Sequence, residues 1–243
     1  MNINILTIFP EIFNVLNSGV VSKPIKNKTL KLNTYDIRKN AVNKHNHVDA
    51  KPYGGGEGMV IMAEPVVKSL NQIAKSKLGK VIYLTPQGKK LNQKKVQNLS
   101  KLRNITLICG RYEGIDQRII DKYVDEEISL GDFILSGGEY AALCLIDAIS
   151  RYIPGTLGNK DSYLKDTFSN GLLKGDVYTK PEDFESMKVP DELLSGNHKK
   201  IDDWRDENSL LKTFLKRPDL LNEIKLSKKQ KKLLEEWESK AIL

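Results

Sequence analysis

The positions in this sequence best suited to chemistry are glycines that cut off apolar runs. In the stretch ITLICGRYEGIDQRIIDKYVDEEISLGDFILSGGEYAALCL, residues 105–145, a β-type run (105–109) stops at Gly110 and Gly114. A second apolar run (Phe133, Ile134, Leu135) stops at Ser136-Gly137-Gly138. Glycine at such a break lets backbone N–H and C=O groups come close to a ligand. In an open α/β sheet, ligands collect at the carboxyl ends of the strands. A third unit of the same kind, VIYL followed by Thr85-Pro86-Gln87-Gly88, precedes these two. The expectation is a small-molecule site built mostly from backbone.

Other glycines do not match the familiar phosphate motifs. Lys51-Pro52-Tyr53-Gly54-Gly55-Gly56-Glu57-Gly58-Met59 is a shaped loop, but no Gly-Lys-Ser/Thr follows it, so it is not a P-loop. The sequence contains no G-x-G-x-x-G, which argues against a dinucleotide-binding turn. The two cysteines, Cys109 and Cys144, form no CxxC and lie in apolar runs. Both are expected to be buried free thiols, and no metal site is expected. His45 and His47 sit two apart in a basic loop and read as exposed, or as facing a polyanion, rather than as metal ligands.

The elements that must position these turns alternate. Residues 2–8 read as a buried strand, followed by a Pro-started helix at 11–16, a short helix at 20–27 and a strand at 31–37. An amphipathic helix is expected over 64–77, a strand over 81–84 cut by the TPQG turn, and a helix over 91–102 with Leu91, Val96, Leu99 and Leu102 inward. After the strand at 105–109 come a short helix (116–121), a strand at DFIL and a helix (139–149) apolar on nearly all sides. Such alternation predicts an α/β domain with a mostly parallel sheet. The polar, glycine-rich segment after Arg151 reads as a linker or functional loop. The expected division is an α/β domain over 1–157, a flexible linker over 158–170 and a small helical domain over 171–243. In the last, helices are expected at 191–194, 197–217, 218–224 and 227–240, with Asn197 and Ser227 as N-caps. Their core would be Trp204, Leu211, Phe214, Leu215, Leu233, Leu234 and Trp237.

The chain has 243 residues and a net charge of +8, unevenly spread. Residues 65–110 hold ten Lys/Arg and no Asp/Glu, whereas residues 166–243 hold 15 basic and 16 acidic side chains. A positive field confined to the first two thirds suits a polyanion such as nucleic acid, though a solvated lysine-rich surface would look the same. No apolar run approaches the roughly 18 residues of a membrane span. The N-terminus lacks the basic and small-residue features of a signal peptide, so a cytoplasmic protein is expected.

Several strings occur in order along nearly the whole chain: LTIFPEIF, KPYGGGEGM, IYLTPQG, CGRYEGIDQR, SLGDFILSGGE, IPGTLG and LLSGNHKKIDDWR. Together they closely resemble the bacterial tRNA (guanine-N1)-methyltransferase family of the SPOUT class. That resemblance implies a deep trefoil knot over residues 83–145, which nothing in the periodicity could reveal. It implies S-adenosylmethionine as methyl donor, with Mg²⁺ as a candidate auxiliary ion, and a tRNA substrate methylated at N1 of the guanosine at position 37, 3′ of the anticodon. The donor positions it implies are Tyr83, Leu84, Thr85 and Pro86; Gly110, Tyr112 and Glu113; and Ile128, Ser129, Leu130, Gly131, Asp132, Phe133, Ile134, Leu135, Gly137 and Gly138. Two departures are visible: Phe133 stands where tyrosine is common, and Ala141 where proline is common at the adenine wall.

The resemblance also implies the catalytic set. Guanine N1 is a poor nucleophile until its proton leaves, and Asp166 matches the base. Arg151 matches the cation beside O6, and Glu113 has a supporting role near the donor methyl. From residue type alone Asp166 would read as a linker or capping aspartate, and Arg151 as a surface helix cap. The implied substrate contacts are Asp49, Tyr53 and Gly55 in the first domain, and Ser195, Asn197, His198 and Arg205 in the second, which would grip the anticodon branch. The family forms homodimers with a shared active site, Asp166 reaching the partner's donor. Two other readings compete: a non-catalytic RNA-binding protein that keeps the fold, and a SPOUT enzyme acting on another RNA. Joint retention of Asp166, Arg151, Glu113 and the glycine turns disfavours the first, and the matching C-terminal domain the second.

Overall fold

The structure, a computed structural model, describes residues 1–41, 47–157 and 166–239. The chain divides into two compact units, Met1–Lys160 and Asp161–Leu243.

In the first unit, strand β1 (Asn2–Thr7) leads into a 3₁₀ helix (Pro10–Asn17) and the short α1 (Ser22–Lys26). Then come β2 (Lys31–Asp36) and the two-residue strands β3 (Asp49–Ala50) and β4 (Val60–Ile61), which form an antiparallel pair. Next are α2 (Ala63–Asn71), α3 (Lys75–Leu78), β5 (Lys80–Lys90), α4 (Gln93–Ser100) and β6 (Asn104–Cys109). The unit closes with α5 (Gln117–Tyr123), β7 (Glu126–Ser129) and α6 (Gly138–Ser150). The five long strands form one sheet in the order β2-β1-β6-β5-β7, parallel throughout.

Parallel strands are covered on both faces, so their sequences run apolar without alternation. The period of two still sorts them. Ile3, Ile5, Ile82, Leu84, Ile105, Leu107 and Cys109 face α4 and α6, with Val96, Leu99, Leu145, Ile146 and Ile149. Leu6, Val81, Tyr83 and Ile108 face the other way, with Val66, Leu70 and Ile119.

Several expected elements differ in the structure. The long helix over 64–77 is broken between α2 and α3. Leu102, expected to be buried, is exposed just past the end of α4. The DFIL run is not a strand. Phe133, Ile134 and Leu135 stand out in solvent, and the third strand is instead β7, Glu126-Glu127-Ile128-Ser129. Nor does TPQG end β5, which continues to Lys90 and keeps β7 as its partner on both sides of an irregularity between Leu84 and Lys89. The space there requires glycine: a Cβ on Gly88 would lie 2.4 Å from the Ile128 nitrogen.

Strand β7 is missed in the sequence because its acidic start looks like a surface patch. Glu126 is drawn inward by two cations: Lys80 Nζ lies 2.7 Å from Oε2, and Lys95 Nζ donates to Oε1. Burial by itself would raise the Glu126 carboxyl, but the bonds from Lys80 and Lys95 outweigh it and hold the group below its ordinary value of 4.5. A folded-state pKa below the unfolded one stabilises above the unfolded value, and that contribution disappears as pH falls through the folded value. Glu126→Gln is therefore expected to lower stability at pH 7 by on the order of 1 kcal/mol. In urea titrations the gap from wild type should shrink as pH drops below 4.5; a gap that stays constant to pH of about 3 would contradict this account.

The second unit holds a small antiparallel hairpin of β8 (Asp183–Phe184) and β9 (Met187–Lys188), then α7 (Asp191–Leu194), α8 (His198–Lys216), a 3₁₀ turn (Pro218–Glu223) and α9 (Lys228–Ser239). Asn197 caps α8, accepting from the Lys199 and Lys200 nitrogens, and Ser227 accepts from the Gln230 nitrogen at the start of α9. The core is Leu172, Leu210, Leu234 and Trp237, with Leu211, Phe214, Leu221, Ile224, Leu226 and Leu233 packed on it. Leu215, expected inside, faces solvent, and Trp204 pairs edge-on with Tyr178 instead.

Candidate active site

Register brings the three turns together. Leu84 lies opposite Cys109 on one side and Ile128 on the other, so all three stand in one row across the sheet. The next residue on each strand, Thr85, Gly110 and Ser129, enters the same cleft of about 310 Å³ at the carboxyl edge. The cleft is lined by Tyr83–Gln87, by Gly110–Gly114, by Ile128–Gly131, and by Phe133–Gly138 with Ala141. Every expected donor position therefore lines it except Asp132, whose side chain is exposed and ion-paired with Lys90 at 2.5 Å. Gln87, Gly114 and Ser136, which belong to the expected turns but not to the expected donor contacts, also line it, as does Arg111, which sequence reasoning gave no part in the site. They lie between the expected ones, and continuity of the turns was the signal for them.

The walls are fixed by local chemistry. The Tyr83 ring fills the space that a side chain on Gly110 would need, with Oη 2.7 Å from the site of that Cβ. Burial raises the Tyr83 phenol, partly countered by a hydrogen bond from the Ile115 backbone, so the hydroxyl stays protonated. Tyr112 adopts φ of +60°, a left-handed conformation that a bulky residue holds only when its surroundings compel it. The Ser129 hydroxyl donates to the Gly131 oxygen at 3.0 Å and accepts from its nitrogen at 3.1 Å, which shapes the third turn from within. The Gly138 nitrogen donates to the Gly110 oxygen at 2.9 Å, joining the second and third turns directly.

Phe133, Ile134 and Leu135 supply an apolar rim. Their exposure explains why they resembled a buried strand: they are apolar for the cleft, not for the core. Cys109 is a buried thiol, pushed well above its usual pKa by burial and then by nearby Glu139, and is inert. Cys144, also expected to be buried, is exposed on α6.

Glu113 lines the cleft and is tied to the glycine-rich loop. Its nitrogen donates to the Met59 oxygen at 2.9 Å, and its carboxylate occupies the space where a Cβ on Gly58 would fall, 2.6 Å away. Nearby, Tyr53 projects fully into solvent, Gly55 holds φ of +81°, and Asp49 sits partly buried in β3.

Arg151 is not in this cleft. It is the exposed C-cap of α6, the helix whose first residue, Gly138, does line it. Thirteen helical residues separate the two ends by roughly 20 Å, beyond the reach of one arginine side chain.

The remaining expected residues fall in the second unit. Asp166 and Arg205 share a cleft of about 560 Å³ with Asp202, Asp206, Lys174 and Asp176. Ser195 and Asn197 are committed locally: Ser195 Oγ donates to the Glu192 oxygen at 2.7 Å and accepts from the Asn197 nitrogen, while Asn197 caps α8. His198 is exposed at the first turn of that helix. His47 is exposed, and His45 lies outside the described residues. Among the described residues, no group of three or more His, Cys, Asp or Glu could hold a metal ion.

A parallel α/β unit with a backbone-lined cleft at three aligned strand ends, followed by a helical unit, defines a small-molecule-binding domain carrying an accessory module. Comparison with known proteins gives that class its family. The tRNA (Guanine-1)-methyltransferase TrmD family matches residues 1–223. Proteins named tRNA (guanine-N(1)-)-methyltransferase are similar along the whole length. The one from Staphylococcus carnosus is 48% identical over 98% of this chain and 97% of its own. That from Buchnera aphidicola subsp. Baizongia pistaciae is 49% identical over 99% and 98%, and that from Clostridium novyi 48% over 97% of each. The chain belongs to the tRNA (guanine-N1)-methyltransferase family.

Proposed function

We infer that this chain transfers a methyl group from S-adenosylmethionine to N1 of guanosine in tRNA, at the guanosine 3′ of the anticodon. The observation that carries the donor half of this reading is the cleft at the aligned ends of β5, β6 and β7. Its exposed backbone suits the polar ends of the donor and its Phe133–Leu135 rim the apolar ones. When bound there, S-adenosylmethionine supplies a methyl group activated by positive sulfur. Threading of residues 83–145 as a trefoil knot belongs to the same reading.

On the tRNA, Asp166 takes the N1 proton, which frees the ring nitrogen's electron pair for the methyl. Arg151 places a permanent cation where negative charge grows on O6. Glu113, at the cleft edge against Gly58, orients the base beside the donor. Mg²⁺ belongs to the same reading as an auxiliary ion; among the described residues no group of three or more His, Cys, Asp or Glu is placed to hold it.

The arrangement favours a shared site. Arg151 caps the end of α6 opposite the Gly138 that lines the cleft, and Asp166 lies within residues 158–170; one subunit holds the donor while the linker and second unit of the other bring Asp166. Lysines 75, 77, 89 and 101 are exposed on the first unit and supply sequence-independent attraction to phosphate. The second unit, near neutral, grips the anticodon branch through shape and hydrogen bonds from Arg205 and His198. The enzyme works in the cytoplasm, where tRNA is its substrate.

Methyl transfer from labelled donor to a tRNA with guanosine 3′ of the anticodon tests this. Full activity on that tRNA and none on the adenosine variant is expected. Equal methylation of both would overturn the position and base assignment.

A further inference from the structure

Among the described residues, Glu139 is the one charged side chain wholly withdrawn from solvent, at 0% exposure. A buried carboxylate is tolerated only where its oxygens are occupied. Thr7 Oγ1 donates to Oε1 at 2.8 Å, and Arg111 Nε donates to Oε2 at 2.9 Å. The same guanidinium donates through Nη1 to the Ser136 oxygen at 3.1 Å, and its carbon lies 4.7 Å from the Phe9 ring centre. Phe9 is held in turn, its nitrogen donating to Thr7 Oγ1 at 2.9 Å. Arg111 and Gly137 also form a backbone bridge. One ion pair thus connects the end of β1, the turn after β6 and the turn before α6.

Gly137 gives the second observation. Its φ of 170° is extended backbone open to any residue, so conformation does not demand glycine there. Space does. A Cβ would fall 2.3 Å from Arg111 Nε and 2.7 Å from Glu139 Oε2. The glycine that looks in sequence like a donor contact is vacant because the ion pair needs its place.

We propose that Arg111 and Glu139 form a latch that sets the second and third turns of the cleft against each other, with Gly137 as the space it occupies. Both act on the donor through those turns and are positioning residues for donor binding. The proposal rests on the reading of the cleft as the donor site. It predicts that donor affinity depends on the latch while tRNA affinity does not.

The test uses the full-length protein as wild type, Glu139→Gln, Arg111→Gln, the double variant, Arg111→Lys and Gly137→Ala. Two readouts apply: calorimetric binding of S-adenosylhomocysteine, and amide hydrogen exchange without any ligand. Each single Gln variant and Gly137→Ala should weaken binding by about 10- to 100-fold, the loss of one or two well-aligned hydrogen bonds to the donor, with KM for tRNA within about threefold of wild type. Arg111→Lys, which keeps the charge but loses the fork to Ser136, should fall between. The double variant should bind no worse than the weaker single, because it leaves no unpaired buried charge. Exchange should rise in residues 110–114 and 136–138 together.

Wild-type affinity in Glu139→Gln or Gly137→Ala overturns the latch, as does multiplication of the single losses in the double. Should Glu139→Gln fail to fold, the double variant and Gly137→Ala decide. If wild type itself binds no S-adenosylhomocysteine, the donor reading falls. The latch is then judged by exchange alone, and separate rather than joint opening of the two turns refutes it.

Discussion

Replacing Asp166 with alanine is expected to slow single-turnover methyl transfer by about 10²- to 10⁴-fold, the usual contribution of a positioned proton acceptor. Binding of S-adenosylhomocysteine should be unchanged, because Asp166 is in the second unit and the donor cleft is in the first. The size of the effect follows from the substrate. Guanine N1 holds its proton at neutral pH, so every productive encounter needs an acceptor at that atom. A carboxamide of the same shape can donate to the ring but cannot take the proton, so Asp166→Asn should be nearly as slow as alanine. The cleft that Asp166 shares with Arg205 raises one rival account, that the loss reflects a collapsed cleft. Asp202→Ala removes a carboxylate from the same wall and should stay within a few-fold of wild type. If Asp202→Ala falls as far as Asp166→Ala, or if Asp166→Ala keeps its full single-turnover rate, Asp166 is not the base.

How much of this could be read from the sequence depends on which forces left a local mark. Buried parallel strands are apolar runs, and 2–7 and 104–109 were legible as such. The glycines at 110 and 138 announced close approach, and the structure puts both on the cleft. Asn197 was legible as a cap because capping is decided within three residues. What was not legible depends on distant partners. Strand β7 begins with two glutamates, and only Lys80 and Lys95, 46 and 31 residues earlier, turn Glu126 inward. The Phe133–Leu135 run has the composition of a strand but serves a cleft wall, and composition does not distinguish the two. Leu172 joins the helical core from 38 residues before Leu210, outside any helix whose period could have flagged it. The role of Gly137 required knowing where the Arg111 and Glu139 side chains meet.

The second large effect is expected at Gly138, and the two lesions together test the shared site. A Cβ on Gly138 would lie 2.9 Å from the Cys109 Cα and 3.1 Å from the Gly110 nitrogen, so backbone rather than a flexible side chain must move. The displaced contact is the hydrogen bond that joins the second and third turns. Stability should fall by at most about 2 kcal/mol: an overpacking cost of about 1–3 kcal/mol is offset by up to about 1 kcal/mol from alanine's helix propensity at the first residue of α6. Cleft geometry has no such compensation. Misaligned backbone hydrogen bonds to a bound ligand cost about 1–3 kcal/mol, roughly 10- to 100-fold in affinity, and Gly138→Ala should weaken S-adenosylhomocysteine binding by that order while the protein remains folded at 25 °C. Affinity within about threefold of wild type would show that this contact does not shape the donor site. In a shared site, one copy supplies the cleft and the other supplies Asp166. Asp166→Ala and Gly138→Ala homodimers should then both be slow. A mixed dimer of one of each would contain one site carrying both lesions and one carrying neither, and should regain about half the wild-type rate per dimer. A cis site predicts no recovery on mixing, because each copy would carry its own lesion.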